Sequence, residues 1–293
     1  MTDYIIKTYQ EDFIEDQVRI GTEVSKNWQL FGQTPVDRLK EAYSQPDFDP
    51  ETRLYCFKGD KMVGFLTTRV VPEQEEGKTI ATVSPPMVLE GHEEAFDLLL
   101  SEGVQTLKNK GADVLRFFSN ETWGESAKIP EKHGFEFKRD TAYLVSQKMN
   151  EIKTTEVKEE VLLYDKERDL DELVEIFVKE LGMTKEQATQ NFEVIDTTEA
   201  ILGHFIIRKD DKIVARTYAQ VNPEQNEAYV GYIYATDDKY RQELISKIVN
   251  QCKEKDIAVL KSFLFGGMME KLEDYKTMGF KQESKSAMYE KEL

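Results

Sequence analysis

The chain repeats itself. The run ADVLRFF at 112–118 lines up with IAVLKSF at 257–263, and KHGFEF at 132–137 with TMGFKQ at 277–282, both 145 residues apart and without a gap. Between them Leu99, Leu100, Val104 and Leu107 fall opposite Leu244, Ile245, Val249 and Cys252, so two helices carry apolar stripes in the same phase. Farther upstream the offset becomes 151: Asp60-Lys61-Met62-Val63 faces Asp211-Lys212-Ile213-Val214, and Pro72-Glu73-Gln74 faces Pro223-Glu224-Gln225. Whatever one half folds into, the other must fold into as well. Length agrees, since 293 residues at ~150 per domain suggest two domains. They are expected at 1–150 and 158–293, joined within the polar stretch KMNEIKTTEVKEE at 148–160.

Each half reads as α/β. In the second, Asp169 is the expected N-cap of a helix whose Leu170, Leu173, Val174, Phe177 and Leu181 recur at helical spacing, and Gly182 is placed to stop it. Thr184 followed by Gln187 has capping-box spacing and opens a helix over 185–193. Strands at 202–208, 213–221 and 228–235 form an antiparallel meander, with the turn Lys209-Asp210-Asp211-Lys212 between the first two. The period then switches to helix 239–254, strand 257–264, helix 268–277 and a last strand from Phe280. The first half repeats this with strands near 54–58, 62–71, 79–88 and 113–118, helices near 11–24, 92–109 and 124–132, and a last strand from Phe135. The order implies a mixed sheet, antiparallel at its start.

Charge narrows the partners. The chain carries 39 basic and 56 acidic residues, a net charge of −17. Both halves contribute, with 18 against 26 in residues 1–150 and 21 against 30 in 151–293. No basic stripe interrupts that field, which argues against nucleic acid and against an anionic membrane surface and leaves a cationic partner easier to accommodate. The amino terminus lacks a basic-then-apolar pattern, and no apolar run approaches the ~20 residues of a membrane span, so the chain reads as soluble and cytoplasmic. Cys56, inside the apolar run Leu54-Tyr55-Cys56-Phe57, and Cys252, on a helix stripe, read as lone buried thiols of a reducing compartment. His92, His133 and His204 show no ligand spacing with either cysteine, so no metal is expected.

The order of elements, the Asp-Lys-x-Val strand turns at 60–63 and 211–214, and above all DYKTMGF at 274–280 resemble the GNAT superfamily of N-acetyltransferases, here in tandem over nearly the whole chain. The resemblance implies acetyl-coenzyme A as cosubstrate, bound on backbone N–H groups of a [QR]-x-x-G-x-[GA] loop that opens a helix; orphan N–H groups and the helix dipole favour phosphate there. In the second half Arg241-Gln242-Glu243-Leu244-Ile245-Ser246 keeps the arginine and a small last residue, with Leu244 in place of the glycine. In the first half Glu90-Gly91-His92-Glu93-Glu94-Ala95 recovers only Ala95, and its glutamates would crowd a pyrophosphate. The second half is therefore the expected coenzyme half.

By the same resemblance Tyr275, four residues before Gly279, stands where the family carries its general acid, and the first half has Pro130 at that place. Backbone N–H groups near Tyr234 and Ala235 would polarise the thioester carbonyl if the family's strand splay is present. Glu227 is the candidate base, with ordered water as the alternative, and Tyr229, Tyr232 and Tyr234 are candidates to line an acceptor cleft. The implied reaction is acetyl transfer to a small cationic or neutral amine. The competing reading is a noncatalytic binding or scaffolding protein made of two eroded domains. A third class, aminoacyl-tRNA-dependent transferases that also resemble paired GNAT domains, conflicts with the acidic charge. Acceptor, acyl chain length and oligomeric state are left open.

Overall fold

The structure, a computed structural model, describes residues 3–197 and 200–293. In chain order it contains β1 (Tyr4–Thr8), α1 (Ile14–Ser25), α2 (Val36–Tyr43), β2 (Arg53–Lys58), β3 (Lys61–Glu75), β4 (Lys78–Val83), β5 (Met87–Val88), α3 (Glu94–Asn109), β6 (Val114–Asn120), α4 (Ile129–Lys132) and β7 (Glu136–Lys148). The second half follows with β8 (Val161–Leu163), α5 (Lys166–Leu181), α6 (Lys185–Asp196), β9 (Ile201–Lys209), β10 (Lys212–Asn222), β11 (Glu227–Val230), β12 (Tyr234–Ala235), α7 (Asp238–Lys253), β13 (Val259–Phe265), α8 (Leu272–Thr277) and β14 (Lys281–Glu292).

These elements form two compact units. One runs up to Asp140 and includes Ser286–Leu293; the other is Thr141–Lys285. In the first unit the sheet order is β1-β2-β3-β4-β6, finished by residues 286–292 of β14, antiparallel to β6 from Ser286↔Asn120 to Glu292↔Val114. In the second, residues 142–148 of β7 lie antiparallel to β13, and the order continues through β11, β10, β9 and β8. Each unit thus takes its last strand from the other half of the sequence, so the compact units do not coincide with 1–150 and 158–293. The linker expected at 148–160 is tied down within the second unit. The N–H of Thr155 donates to Ser246 Oγ at 2.8 Å, and those of Lys158 and Glu159 donate to the Glu243 carboxylate at 3.2 and 2.8 Å.

In both units strands are buried on both faces: in β2 Leu54 and Cys56 face one core and the alternating Tyr55 and Phe57 another, with Phe13 and Ile20, and in β9 consecutive Phe205, Ile206 and Ile207 are all buried. In the first unit the stripe Ala95, Leu99, Leu100 and Leu107 of α3 packs with Leu54, Leu66, Leu115 and Phe117 of β2, β3 and β6. Gly103 lies in that stripe because a Cβ there would stand 2.5 Å from Leu66 Cδ2. In the second unit Leu173, Phe177 and Phe192 of α5 and α6 join Phe205, Ile206, Leu244, Ile248, Leu260 and Leu264 in one core.

The helix signals are half confirmed and half moved. Gly182 ends α5 in the left-handed region at φ 65°, and Thr184 and Gln187 form the reciprocal capping box of α6. Asp169 is not the cap of α5. The helix starts a turn earlier, where Asp165 accepts from the N–H of Arg168, and Asp169 is buried inside it against Arg168 and Arg208. The helices expected near 124–132 and 268–277 each open as 3₁₀ turns, at Gly124–Lys128 and Gly266–Lys271. The single strands expected at 79–88 and 228–235 are each broken in two.

Candidate functional site

The breaks define the site. In the second unit β11 runs parallel to β13 only from Glu227↔Val259 to Tyr229↔Lys261. The chain then leaves β13 and resumes as β12, paired with β10 alone through Arg216↔Tyr234 and Ala215↔Ala235. The first unit does the same: β4 pairs with β6 up to Val83↔Phe117, and after Ser84-Pro85-Pro86 β5 pairs with β3 alone. Two prolines without N–H groups cannot continue a ladder. At the second break Gly231 is required by packing, since a Cβ there would stand 1.9 Å from the Tyr218 ring. Two neighbouring parallel strands therefore part in both units.

Tyr275 reaches this parting. Its side chain, on α8, is 2% exposed, and its hydroxyl donates to the Gly231 carbonyl at 3.3 Å. Burial pushes the phenol up to about 12, against the opposing pull of the Ser262 hydroxyl and the Ile233 backbone. A phenol so held stays protonated at neutral pH and is a proton donor, not a base. Tyr234 and Ala235 are half-buried, their strand bound to β10 on one side. Glu227 is not brought to the parting. It lies four residues before Gly231, roughly 13 Å along an extended strand. Its carboxylate is held by Lys261 at 2.6 Å and by the Tyr229 hydroxyl at 3.1 Å.

Arg241 and Ser246 lie within α7, not in a loop before it. Arg241 pairs with Asp238 at 3.0 Å, and Ser246 is fully buried, donating to the Gln242 carbonyl at 2.7 Å while accepting from Thr155. Leu244, at the position of the missing glycine, is wholly buried in the core. The N-terminus of α7 carries its own acid: Asp237 accepts from the Lys239 N–H at 2.9 Å. At the start of α3 the Glu93 carboxylate accepts from the Gly91 N–H at 2.9 Å and, bound by its own N–H and that of Gly91, is held below the usual carboxylate range.

Beside each of these helix starts runs a groove. In the second unit it holds about 680 Å³, between Asp238, Gln242 and Ile245 of α7 and the end of α8 at Thr277–Gly279, with residues 151–155 as its outer wall. In the first it holds about 420 Å³, bordered by Leu89 and Glu90 at the strand parting, by Glu93 and Asp97 of α3, and by Lys132 and His133 at the end of α4. The 145-residue register carries Glu93 to Asp238, Asp97 to Gln242, Lys132 to Thr277 and His133 to Met278, so the two grooves share four equivalent positions in the two repeats. The first is the more acidic and internally paired, with Asp97 bridged to Lys132 at 3.3 Å and to His133 at 3.1 Å.

A mixed sheet with two parted parallel strands, a helix starting beside each parting, and the whole arrangement repeated can be compared with known proteins. No family model matches the chain, and no curated protein matches it. Solved structures do. A tandem GNAT protein from the clavulanic acid biosynthesis pathway superposes with a TM-score of 0.64 at 11% identity, over 99% of this chain and 98% of that one. The chain has the tandem GNAT fold. A GCN5-related N-acetyltransferase from Sphaerobacter thermophilus gives 0.62 at 10% identity over 100% and 96% of the two chains. A GNAT-family acetyltransferase from Colwellia psychrerythraea gives 0.61 at 11% over 98% and 99%.

Within the GNAT fold two further residues stand out that sequence reading passed over. Arg216, in the middle of β10, and His204, in the middle of β9, are buried side by side, with Arg216 Nε donating to His204 Nε2 at 2.7 Å. The signal was there to be seen: an arginine directly after the apolar run Ile213-Val214-Ala215, in the middle of a strand. Among the described residues no group of three or more His, Cys, Asp or Glu could hold a metal ion, and no helix is long and apolar enough to cross a membrane.

Proposed function

We propose that the protein is an acyl-coenzyme A-dependent N-acyltransferase that moves an acetyl group to a small amine, with the chemistry in the second unit. One observation carries the reading: the buried Tyr275 phenol is aimed at Gly231, where β11 parts from β13. The first unit has Pro130 at the equivalent position and offers no such donor.

In this reading the thioester lies at the parting, its carbonyl oxygen against backbone N–H groups of the freed segment up to Tyr234 and Ala235. The neutral amine attacks the carbonyl carbon, the C–S bond breaks, and the leaving thiolate takes the proton of Tyr275. The ammonium proton passes to water, because Glu227 is bound elsewhere, and water returns a proton to the Tyr275 phenolate to close the cycle. The coenzyme then lies in the groove beside α7, and Arg241, next in sequence to the groove-lining Gln242, serves the pyrophosphate once its pairing with Asp238 is exchanged. Tyr275→Phe should then lower kcat by ~100-fold with coenzyme affinity kept. Turnover within a factor of two of wild type would reduce Tyr275 to a packing residue.

A second reading, a noncatalytic binding protein, is favoured by one specific feature. In both units a carboxylate of the chain, Glu93 or Asp237, already occupies N–H groups at the helix start. Absence of any thermal shift with millimolar acetyl-coenzyme A would favour it.

A further inference from the structure

One side chain in the groove beside α7 has no partner for its polar end. Gln147, near the end of β7, lines that groove and is only 8% exposed. Its Oε1 is buried and accepts no hydrogen bond, and among the described residues its Nε2 donates none. The amide lies against the turn that follows α8. Gly279 has φ 93° there, and a Cβ on it would stand 2.5 Å from Gln147 Nε2, so glycine serves both the turn and the room the amide takes. A buried carboxamide with neither end bonded destabilises the empty protein.

The first unit answers the same position differently. Gln147 pairs with Leu260 of β13 and Lys291 with Leu115 of β6, and the 145-residue register carries Leu115 to Leu260. Lys291 therefore stands in the first unit where Gln147 stands in the second. Its Nζ donates to the His133 carbonyl at 2.8 Å and so is engaged at the end of α4. The second unit instead keeps a free donor and a free acceptor on one planar group beside its groove. Such a pair is complementary to an amide, which offers an N–H and a C=O of its own. Gly279 follows Tyr275 by four residues, roughly 6 Å along a helix, so the group is within a short chain's reach of the place where the thioester would lie.

We propose that Gln147 binds an amide of the pantetheine arm of the acyl-coenzyme A, so that the groove selects a pantetheine thioester over a bare nucleotide. This rests on the acyltransferase reading. The last torsion of a glutamine side chain is broad and roughly two-fold, so a turn about it presents either amide atom to the groove.

The test is Gln147→Met, which keeps the length of the side chain and removes both polar atoms. Without ligand the variant should melt no lower than wild type, because the group it loses was unpartnered. Calorimetric titrations into the full-length protein should show acetyl-coenzyme A and S-acetylpantetheine both weakened ~10-fold, with adenosine 3′,5′-diphosphate, which has no amide, unchanged. A purely structural role would lower the melting point and weaken all three together. A lower melting point or failure to fold, acetyl-coenzyme A affinity within a factor of two of wild type, or a loss that falls equally on the diphosphate overturns the inference and leaves the acyltransferase reading in place. Wild type that binds neither thioester overturns both. Binding of S-acetylpantetheine that depends on Gln147, with no acetyl transfer to any amine offered, upholds the amide site and removes the acyltransferase reading.

Discussion

Replacing Asp169 by asparagine exchanges one buried oxygen for an amide and should cost the second unit ~2–4 kcal/mol. The carboxylate has no exposed side-chain surface. It accepts from Arg168 Nε and Nη2 at 2.7 Å each, from Arg208 Nη1 at 2.9 Å and from the Asp165 N–H at 2.8 Å. Breaking a buried pair by removing one partner costs about 3–5 kcal/mol when the other charge is stranded. Here the stranding is partial. Arg208 is 18% exposed and keeps Glu172 at 2.8 Å, and Arg168 is 43% exposed and turns to water, which brings the figure down. At a few degrees per kcal/mol the midpoint of a unit this size should fall by roughly 5–15 °C. The pH dependence follows from the sign of the shift. Burial alone would raise this carboxyl, but Arg168 and the Asp165 N–H, with Arg208 behind them, outweigh it and hold it below the usual aspartate range. A depressed folded pKa contributes stability above the unfolded value of ~3.9, and that contribution is lost as pH falls through the folded value. Urea titrations followed by far-UV circular dichroism should therefore show a wild-type advantage that is level from pH 7 to 5 and shrinks below about pH 4. A difference under about 0.5 kcal/mol at pH 7, or one that grows on acidification, would refute the reasoning.

The exchange of last strands makes its own prediction. Ending the chain at Lys285 removes the partner of β6 together with buried Ala287 and Met288 and the Arg116–Glu290 pair. The first unit, which holds both tryptophans, should then unfold at lower urea by at least the ~2–3 kcal/mol of one buried methionine, read by tryptophan fluorescence; an unchanged midpoint would mean that the strand is dispensable. In thermal shift with acetyl-coenzyme A, Arg241→Glu should abolish a stabilisation that reaches ~2.7 kcal/mol at a hundredfold excess over Kd, and Glu93→Ala should leave it intact. A shift altered only by Glu93→Ala would move the coenzyme to the first unit.

Periodicity and local chemistry were legible because they are written in neighbours. The helix stripes, the Thr184–Gln187 box and the stop at Gly182 depend on residues within about one turn, and the structure keeps them. Asp169 shows the limit of such signals: Asp165 and Asp169 are equally good caps, and the choice falls to Arg208, 39 residues on, which draws Asp169 into the interior. Ser246 shows it again. A small residue at the end of a loop-like motif proves to be a buried helix position engaged by Thr155. Tyr275 could be singled out by its distance from Gly279, but that its hydroxyl meets Gly231, 44 residues away, could not.

By itself the sequence determined the duplication, the α/β order and the acidic character of both halves, since identity, spacing and charge need no partner to be read. Tertiary structure alone decided which strand completes which sheet, where β11 leaves β13, and that Arg216 is enclosed with His204. Each of these depends on residues distant in the chain becoming neighbours. Whether a strand pairs, a glycine is needed or a charge is stranded is set by what the fold brings alongside.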